Sequence, residues 1–447
     1  MAVARVLREA VAEGEIEHVP GAQPGAFPEV AARLTRAARC PIVPRSATGG
    51  GRRVRVLMVV PRFGPAIVGG AETLVRGLAL NAGDVAGTVE VATTCAVDHQ
   101  TWANVLPPGE TEVDGILVRR FPVAQRDRRR HARLHGRLMG GGALSYLEQQ
   151  ELMATSVWSD GLQRFLDREG GGYDLVIAAP YLFGVSFWAA QAWPERTVFI
   201  PCLHDEPYAH LDVVRTVVGS VRGCIFNSPG EERLARRLFR VREGGVVGAG
   251  LTPPQEPPAR RFAEPRRLGA YVLYAGRIEE GKRVDVAADY VARYRRERRS
   301  ELRLVMIGAG SWRPAPRRAD AVEVVGYVDE EDRRAAYAEA VALVNPSELE
   351  SLSLVLLEAW QEGTPALVAA GSEVMREHCR RSGGGIPFGS YEQFAAALDR
   401  LQADPGAARA MGEAGREYVL REYSWPAVRE RFAEVLGRLA RTAQGAR

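Results

Sequence analysis

The strongest constraint in this chain is an alternation of short buried-strand patterns with helical ones, which occurs twice. Val54–Val60 (VRVLMVV) is almost wholly apolar, as a parallel strand covered on both faces requires. A glycine-bearing loop follows, then an amphipathic helix over 71–82. Runs of the same kind recur at Val89–Thr93, Leu175–Ala179, Thr197–Pro201, Gly223–Phe226 and Gly245–Val247, with helical patterns between most of them. Residues 251–267 then hold five prolines and predict a stiff, extended connector. Beyond it the alternation restarts, with strands expected at Tyr271–Ala275, Leu302–Ile307, Val322–Val325, Ala342–Val344 and Ala366–Ala369. The pattern predicts an α/β chain of two Rossmann-like, doubly wound parallel-sheet domains, at 53–250 and 268–424. An appendage (1–52), the linker (251–267) and a C-terminal amphipathic helix within 425–447 complete the reading.

Composition narrows the class. The 447 residues give each half enough chain to bury its own core. A net charge of +4, from 59 basic and 55 acidic residues, is too small to argue for nucleic acid. The five cysteines (Cys40, Cys95, Cys202, Cys224, Cys379) are odd in number and scattered, without a CxxC. That fits a reducing compartment and argues against a disulfide framework or a zinc site. The N-terminus lacks the order of a signal peptide, and no apolar run of about 18 residues is present to span a bilayer. A cytoplasmic protein is expected. Lys282 is the only lysine; the remaining basic residues are all arginine. An arginine-favouring coding bias explains that, and a lysine surviving it can mark a place where a compact charge is needed.

In open parallel sheets, ligands bind beyond the carboxyl ends of strands, and the suggestive residues lie there. YAGRIEEGKRVD places Arg277 and Lys282 between a strand end and a helix. Two cations so placed suit a pyrophosphate whose charge grows as a bond to it breaks. The plainer reading is a surface ion pair with Glu279 or Glu280. NPSELESLSLVLLEAWQEGTPALVA (345–369) predicts a strand end, a helix capped by Ser351 or Ser353 and running to about Gln361, and a stop at Gly363 and Pro365. Glu350 precedes that helix and Glu358 lies within it. A helix N-terminus offers amides to an anion or a sugar hydroxyl, and a glutamate on the helix can grip two ribose hydroxyls. By spacing alone two such glutamates are common in any acidic helix.

This segment resembles the signature of glycosyltransferase family 4. There, two glutamates with seven residues between them follow Pro-Ser and precede Ala-x-x-x-Gly-x-Pro. Pro346, Ser347, Glu350, Glu358, Ala359, Gly363 and Pro365 match. The Arg277–Lys282 spacing is similar to the family's, as is PRFGPAIVGGAE at 61–72; the likeness spans about 54–440. It implies a GT-B fold whose domains face a central cleft, with an acceptor domain first and a nucleotide-sugar domain second. It also implies a retaining transfer of a hexose from a nucleotide-diphosphate sugar, with no required metal or cofactor. Arg277 and Lys282 would bind the diphosphate, Glu358 the ribose, and Glu350 with Ser351 and Leu352 the donor sugar. Gly69 and Gly70 would admit the phosphates or the acceptor close to the backbone. Where the family often carries glycines after the first glutamate, this chain has Ser351, Leu352 and Ser353.

IPCLHDEPYAH (200–210) puts His204 after a buried strand, where the family's histidine contacts the donor sugar near the reacting carbon. The resemblance thus marks His204, Glu350, Arg277 and Lys282 as catalytic. Asp205 and Glu206 are carboxylates able to act on the acceptor, and Asn227-Ser228 reads either as a cleft-facing turn or as a helix cap before Glu231. The acceptor expected is a saccharide or lipid-linked hydroxyl, in bacterial surface polysaccharide or glycolipid synthesis. The basic run 126–137 reads as a solvated loop, with Leu134 and Leu138 hinting at a helical face. The alternative is a peripheral contact with an anionic membrane or a charged acceptor. The arginine-rich stretch 293–303 reads as a solvated helix face. Rival functions are a nicotinamide enzyme suggested by MIGAGSWR (306–313), whose third glycine position is Arg313, a GT-B epimerase or phosphorylase, and a catalytically silent GT-B subunit.

Overall fold

The run at 54–60 folds as strand β1 (Arg55–Val59) in a computed structural model that describes residues 54–67, 69–83 and 86–441. The N-terminal appendage and Cys40 lie outside the described residues. Two compact units divide the chain, one running to Gly248 and resumed from Arg429, the other spanning Ala249–Val428.

In the first unit β1 leads through a loop to α1 (Gly70–Asn81) and β2 (Thr88–Thr94). Next come β3 (Gly109–Val113), β4 (Ile116–Phe121), and helices α2 (Arg128–Met139), α3 (Tyr146–Ser156) and α4 (Asp160–Glu169). The alternation then continues as β5 (Leu175–Ala178), α5 (Gly184–Ala192), β6 (Thr197–Phe199), α6 (Asp212–Ser220), β7 (Gly223–Phe226), α7 (Pro229–Leu238) and β8 (Gly244–Val246). The sheet runs β3-β4-β2-β1-β5-β6-β7-β8. All neighbours are parallel except the β3–β4 hairpin. Asp114 and Gly115, at φ of 54° and 79°, make its two-residue turn, the left-handed pair such a tight hairpin demands. Gly109–Val113 is too polar and exposed to have been read as a buried strand.

The basic run does not form a loop. Asp127 caps α2 by accepting the Arg130 amide at 2.8 Å, and Leu134 and Leu138 are buried. Two apolar side chains one turn apart suffice to seat the helix against α3, so the hint of a helical face outweighs the solvated-loop reading.

The second unit contains β9 (Tyr271–Ala275), α8 (Val284–Arg298), β10 (Arg303–Ile307), β11 (Val322–Gly326), α9 (Glu330–Glu339) and β12 (Leu343–Asn345). It continues with α10 (Leu354–Gln361), β13 (Ala366–Ala369), α11 (Glu373–Ser382), β14 (Gly385–Phe388), α12 (Tyr391–Ala403) and α13 (Pro405–Glu422). Its sheet is parallel throughout, in the order β11-β10-β9-β12-β13-β14. The arginines of α8 are not merely solvated: Arg293 lies 3.7 Å over the Tyr391 ring and Arg298 pairs with Asp399 at 2.8 Å.

The last helix, α14, spans Trp425–Arg441. Val435 and Arg438 lie along β8, where Arg438 donates to the Gly244 carbonyl at 3.0 Å. None of the helices among the described residues is long and apolar enough to cross a membrane.

Candidate functional site

The second unit gathers its candidate residues where β9 and β12 end. Beyond β9 the chain turns at Gly276, and the loop after β10 packs directly on it. A Cβ on Gly308 would overlap the Gly276 carbonyl, and one on Gly310 the Ile278 carbonyl. Bare backbone is therefore required at both positions, and the loops lock through Gly276 N to Ile307 O (3.0 Å) and Ile278 N to Ala309 O (2.8 Å). The glycines of MIGAGSWR serve this contact, and Arg313 closes the segment by donating to the Trp312 carbonyl at 2.8 Å.

Tyr274 donates its hydroxyl to the Arg277 carbonyl at 2.6 Å and fixes that backbone. The Arg277 side chain is half-exposed and pairs with Glu279 at 3.0 Å, as the plainer reading anticipated. Lys282, in a short helical turn before α8, points elsewhere. Its ammonium lies 3.0 Å from Glu350, 3.4 Å from the Leu349 carbonyl and 3.5 Å from the Ser347 hydroxyl. Both members of the Lys282–Glu350 pair are largely shielded. Two candidates far apart in sequence thus meet at the end of β12, while Arg277 stays with Glu279.

The turn before α10 is held by Asn345, which accepts the Ser347 amide at 3.1 Å and donates to the Ser353 hydroxyl at 3.0 Å. Ser353 stands at the helix N-cap, as one of the two expected serines, but its side chain does not cap. Its φ of 64° lies in the left-handed region, at a cost of about 1–2 kcal/mol for a residue with a Cβ. The chain thus keeps a glycine-like backbone at this turn without the glycine. Leu352 is buried beside it, and Ser351 is partly exposed.

Helix α10 is anchored by Trp360, which is fully buried and donates to the Gly384 carbonyl at 2.8 Å. Gly384 and Gly415 make room for that indole. Removing such a side chain costs roughly 3–5 kcal/mol. Two residues earlier, Glu358 faces α9 instead. It accepts from Arg333 at 2.6 Å and from the Tyr337 hydroxyl at 3.0 Å. Burial first, and the Glu358 carboxylate next, hold the Tyr337 phenol well above its ordinary range, so it remains a donor. Neither Arg333 nor Tyr337 was marked by the sequence, since the partnership depends on how two helices pack.

The first unit carries a second cluster. Gly69 is the N-cap of α1, and a Cβ there would run into the Glu72 carboxylate; the space beside Gly70 is open. Arg62 and Glu72 are buried and paired at 2.5 Å, and Arg62 also donates to the Val97 carbonyl at 3.2 Å. Removing one partner of a buried pair costs about 3–5 kcal/mol, so this contact pins the glycine loop. PRFGPAIVGGAE contains both residues, but nothing in their spacing announces the contact.

His204 follows β6, and its Nδ1 lies 3.2 Å from Glu206. Glu206 also accepts from the Tyr181 hydroxyl at 2.7 Å. Asp205 turns away to His210 (2.9 Å) and Arg237 (3.1 Å) on the surface. Of the two carboxylates, therefore, Glu206 belongs with His204. The loop is tied down by a residue the sequence offered only as a landmark. Glu231 accepts the Leu203 amide at 2.6 Å and the Asn227 amide at 2.5 Å. Ser228 caps α7 by accepting the Glu231 amide at 3.1 Å, which decides for the cap reading of Asn227-Ser228. Burial pushes the Glu231 carboxyl up to about 8 against the pull of the two amides.

A sequence profile of the family described as Glycosyl transferases group 1 matches residues 269–404. D-inositol 3-phosphate glycosyltransferase 2 of Catenulispora acidiphila is 26% identical over 436 residues, covering 87% of this chain and 95% of that protein. Among solved structures, sucrose-phosphate synthase from Thermosynechococcus elongatus aligns with a TM-score of 0.63 at 20% identity, over 88% of this chain and 100% of that one. The α,α-trehalose 6-phosphate synthase from Burkholderia multivorans aligns with a TM-score of 0.62 at 12% identity, over 88% and 100% of the two chains.

Proposed function

We propose, from the group 1 glycosyltransferase profile matched over residues 269–404 and the GT-B fold, that the chain transfers a hexose, with retention of configuration, from a nucleoside-diphosphate sugar to a saccharide or lipid-linked hydroxyl. One observation carries the reading furthest: the only lysine is brought to the end of β12, against Glu350, Ser347 and the Leu349 carbonyl. A compact cation placed there stabilises a departing diphosphate more than the intact donor. Arg277 swings from its exposed pair with Glu279 to share that charge. Glu358 exchanges its bonds to Arg333 and Tyr337 for the ribose hydroxyls, and Glu350 meets the donor sugar.

No side chain is assigned as a nucleophile. The bond from the anomeric carbon to the phosphate oxygen breaks, and the acceptor oxygen bonds to that carbon from the same face. The acceptor proton passes to the leaving phosphate. His204, oriented by Glu206, hydrogen-bonds the sugar beside the reacting carbon. No metal is required, because Lys282 and Arg277 supply the positive charge.

A panel of UDP-, GDP-, TDP- and ADP-sugars tests this by thermal shift and by release of free nucleotide, since a ligand of the folded state raises its stability. One donor that stabilises the protein and releases nucleotide is expected, unaffected by EDTA. A folded protein that binds none of them at millimolar concentration would favour the silent-subunit reading.

A further inference from the structure

The loop that leaves β1 and opens α1 is anchored at three successive residues. Thr94, on β2, donates its hydroxyl to the Pro61 carbonyl at 2.6 Å. The Arg62 guanidinium is bound by Glu72 at 2.5 Å. Arg120, on β4, donates from Nη2 to the Phe63 carbonyl at 3.0 Å, and the same nitrogen comes within 3.9 Å of where a Cβ on Gly64 would stand.

The third anchor differs from the second in charge. Arg62 is neutralised by Glu72. Arg120 is almost as deeply buried, yet no carboxylate among the described residues pairs with it, and its Nε meets no acceptor among them. The one titratable group whose charge reaches it is Cys95. Burial pushes that thiol up to about 11, so it is neutral and supplies no counter-charge. Burial also lowers the Arg120 guanidinium from its ordinary value, but arginine keeps its proton in proteins. An uncompensated buried charge weakens a fold, and an apolar side chain of similar length would serve packing as well or better. The loop thus rests on a cation that packing does not require. Helix α1, which it opens, has Gly69 as N-cap, no side-chain cap bond, and open space beside Gly70. Its first-turn amides and dipole favour an anion, and the acidic residue of that turn, Glu72, is already taken by Arg62.

We propose that Arg120 is a positioning residue of the transfer: through the Phe63 carbonyl and through its uncompensated charge, it sets the loop before α1 to receive the diphosphate of the sugar donor. The proposal rests on the transferase reading above and adds a residue to it. A charge acting from behind the loop is felt by the intact and the departing diphosphate alike. It therefore contributes uniform binding, which shows in KM and leaves kcat in place.

Steady-state nucleotide release by the full chain tests it, with UDP-glucose, GDP-mannose, TDP-glucose and ADP-glucose as donors, for the wild type, Arg120→Met and Arg120→Lys. With the donor that the wild type turns over, Arg120→Met is expected to raise KM about tenfold and to keep kcat within about threefold. Arg120→Lys keeps the charge and a donor for the bond to Phe63, and should bring KM back to within about threefold of wild type. Arg120→Gln, a donor without the charge, takes the place of Arg120→Met should that variant not fold. A rise in KM that Arg120→Lys does not reverse overturns the proposal. So does a neutral variant with wild-type KM, and a lower melting temperature beside that unchanged KM would mark a purely structural anchor. Release by the wild type with unchanged KM in the variant sinks the role of Arg120 alone, whereas a wild type that releases nucleotide from none of the four donors sinks the transferase reading with it.

Discussion

The ammonium of Lys282 lies 3.0 Å from the carboxylate of Glu350, a residue 68 positions further along the chain. The pair joins the loop after β9 to the turn before α10, and it sets the first expectation. Lys282→Ala should lower turnover by about 10²–10³-fold, the loss seen when one preorganised charge stabiliser is removed. Lys282→Arg should restore little, because a planar fork does not fit the three oxygens that a point charge satisfies. Steady-state nucleotide release with the best donor measures both, and wild-type rates in Lys282→Ala would remove the residue from the mechanism.

Glu358 has two tasks to be separated. Its bonds to Arg333 and Tyr337 are structural, whereas the proposed ribose grip would be functional. Glu358→Gln keeps the shape and one acceptor but loses the charge. Affinity for the nucleoside diphosphate should fall about tenfold, or 1.4 kcal/mol, with a melting temperature within a few degrees of wild type. Calorimetry with the free nucleotide reads the first and a melting curve the second; unchanged affinity would take Glu358 out of the ribose site.

Glu231 accepts two backbone amides, one of them beside His204. In Glu231→Gln one amide faces a donor instead of an acceptor. That costs about 1–3 kcal/mol and frees the His204 loop. Turnover should drop about tenfold while nucleotide affinity in the second unit stays at the wild-type value. A uniform loss of both would mean global unfolding rather than a local role.

His378 is buried behind α10, with Nδ1 2.9 Å from the Tyr418 hydroxyl. Burial first, then Arg381, depress its pKa from 6.5 to about 4. The unfolded chain therefore takes up a proton below pH 6.5 that the folded chain refuses until about pH 4. Stability contributed by the neutral ring is complete above pH 6.5 and falls through that window, by about 3 kcal/mol at its end. Denaturant titrations between pH 7 and 4 should show this slope, reduced in His378→Gln; an equal slope in both would assign the acid sensitivity elsewhere.

Much of the fold was legible because buried parallel strands are continuous apolar runs. Tyr271–Ala275 and Ala366–Ala369 begin and end where the pattern places them. The hairpin was passed over because its outer strand is charged and exposed, although Asp114-Gly115 between its arms is a sound turn signal. Short β14 was missed, carrying glycine and proline in four residues. For the site, sequence pointed to Lys282, Glu350, Glu358 and His204 individually. It did not reveal Arg333, Tyr337, Glu206 as the histidine's partner, or the Arg62–Glu72 contact, because these pairings depend on how separate elements pack.

The solitary lysine has a practical side. With one side-chain amine in the whole sequence, largely shielded by Glu350 and its neighbours, an amine-selective acylating reagent modifies a single side chain, the one at the candidate diphosphate position. The mass of one peptide then reports occupancy, and protection by an unlabelled compound ranks donors without a radioactive substrate or a coupled assay.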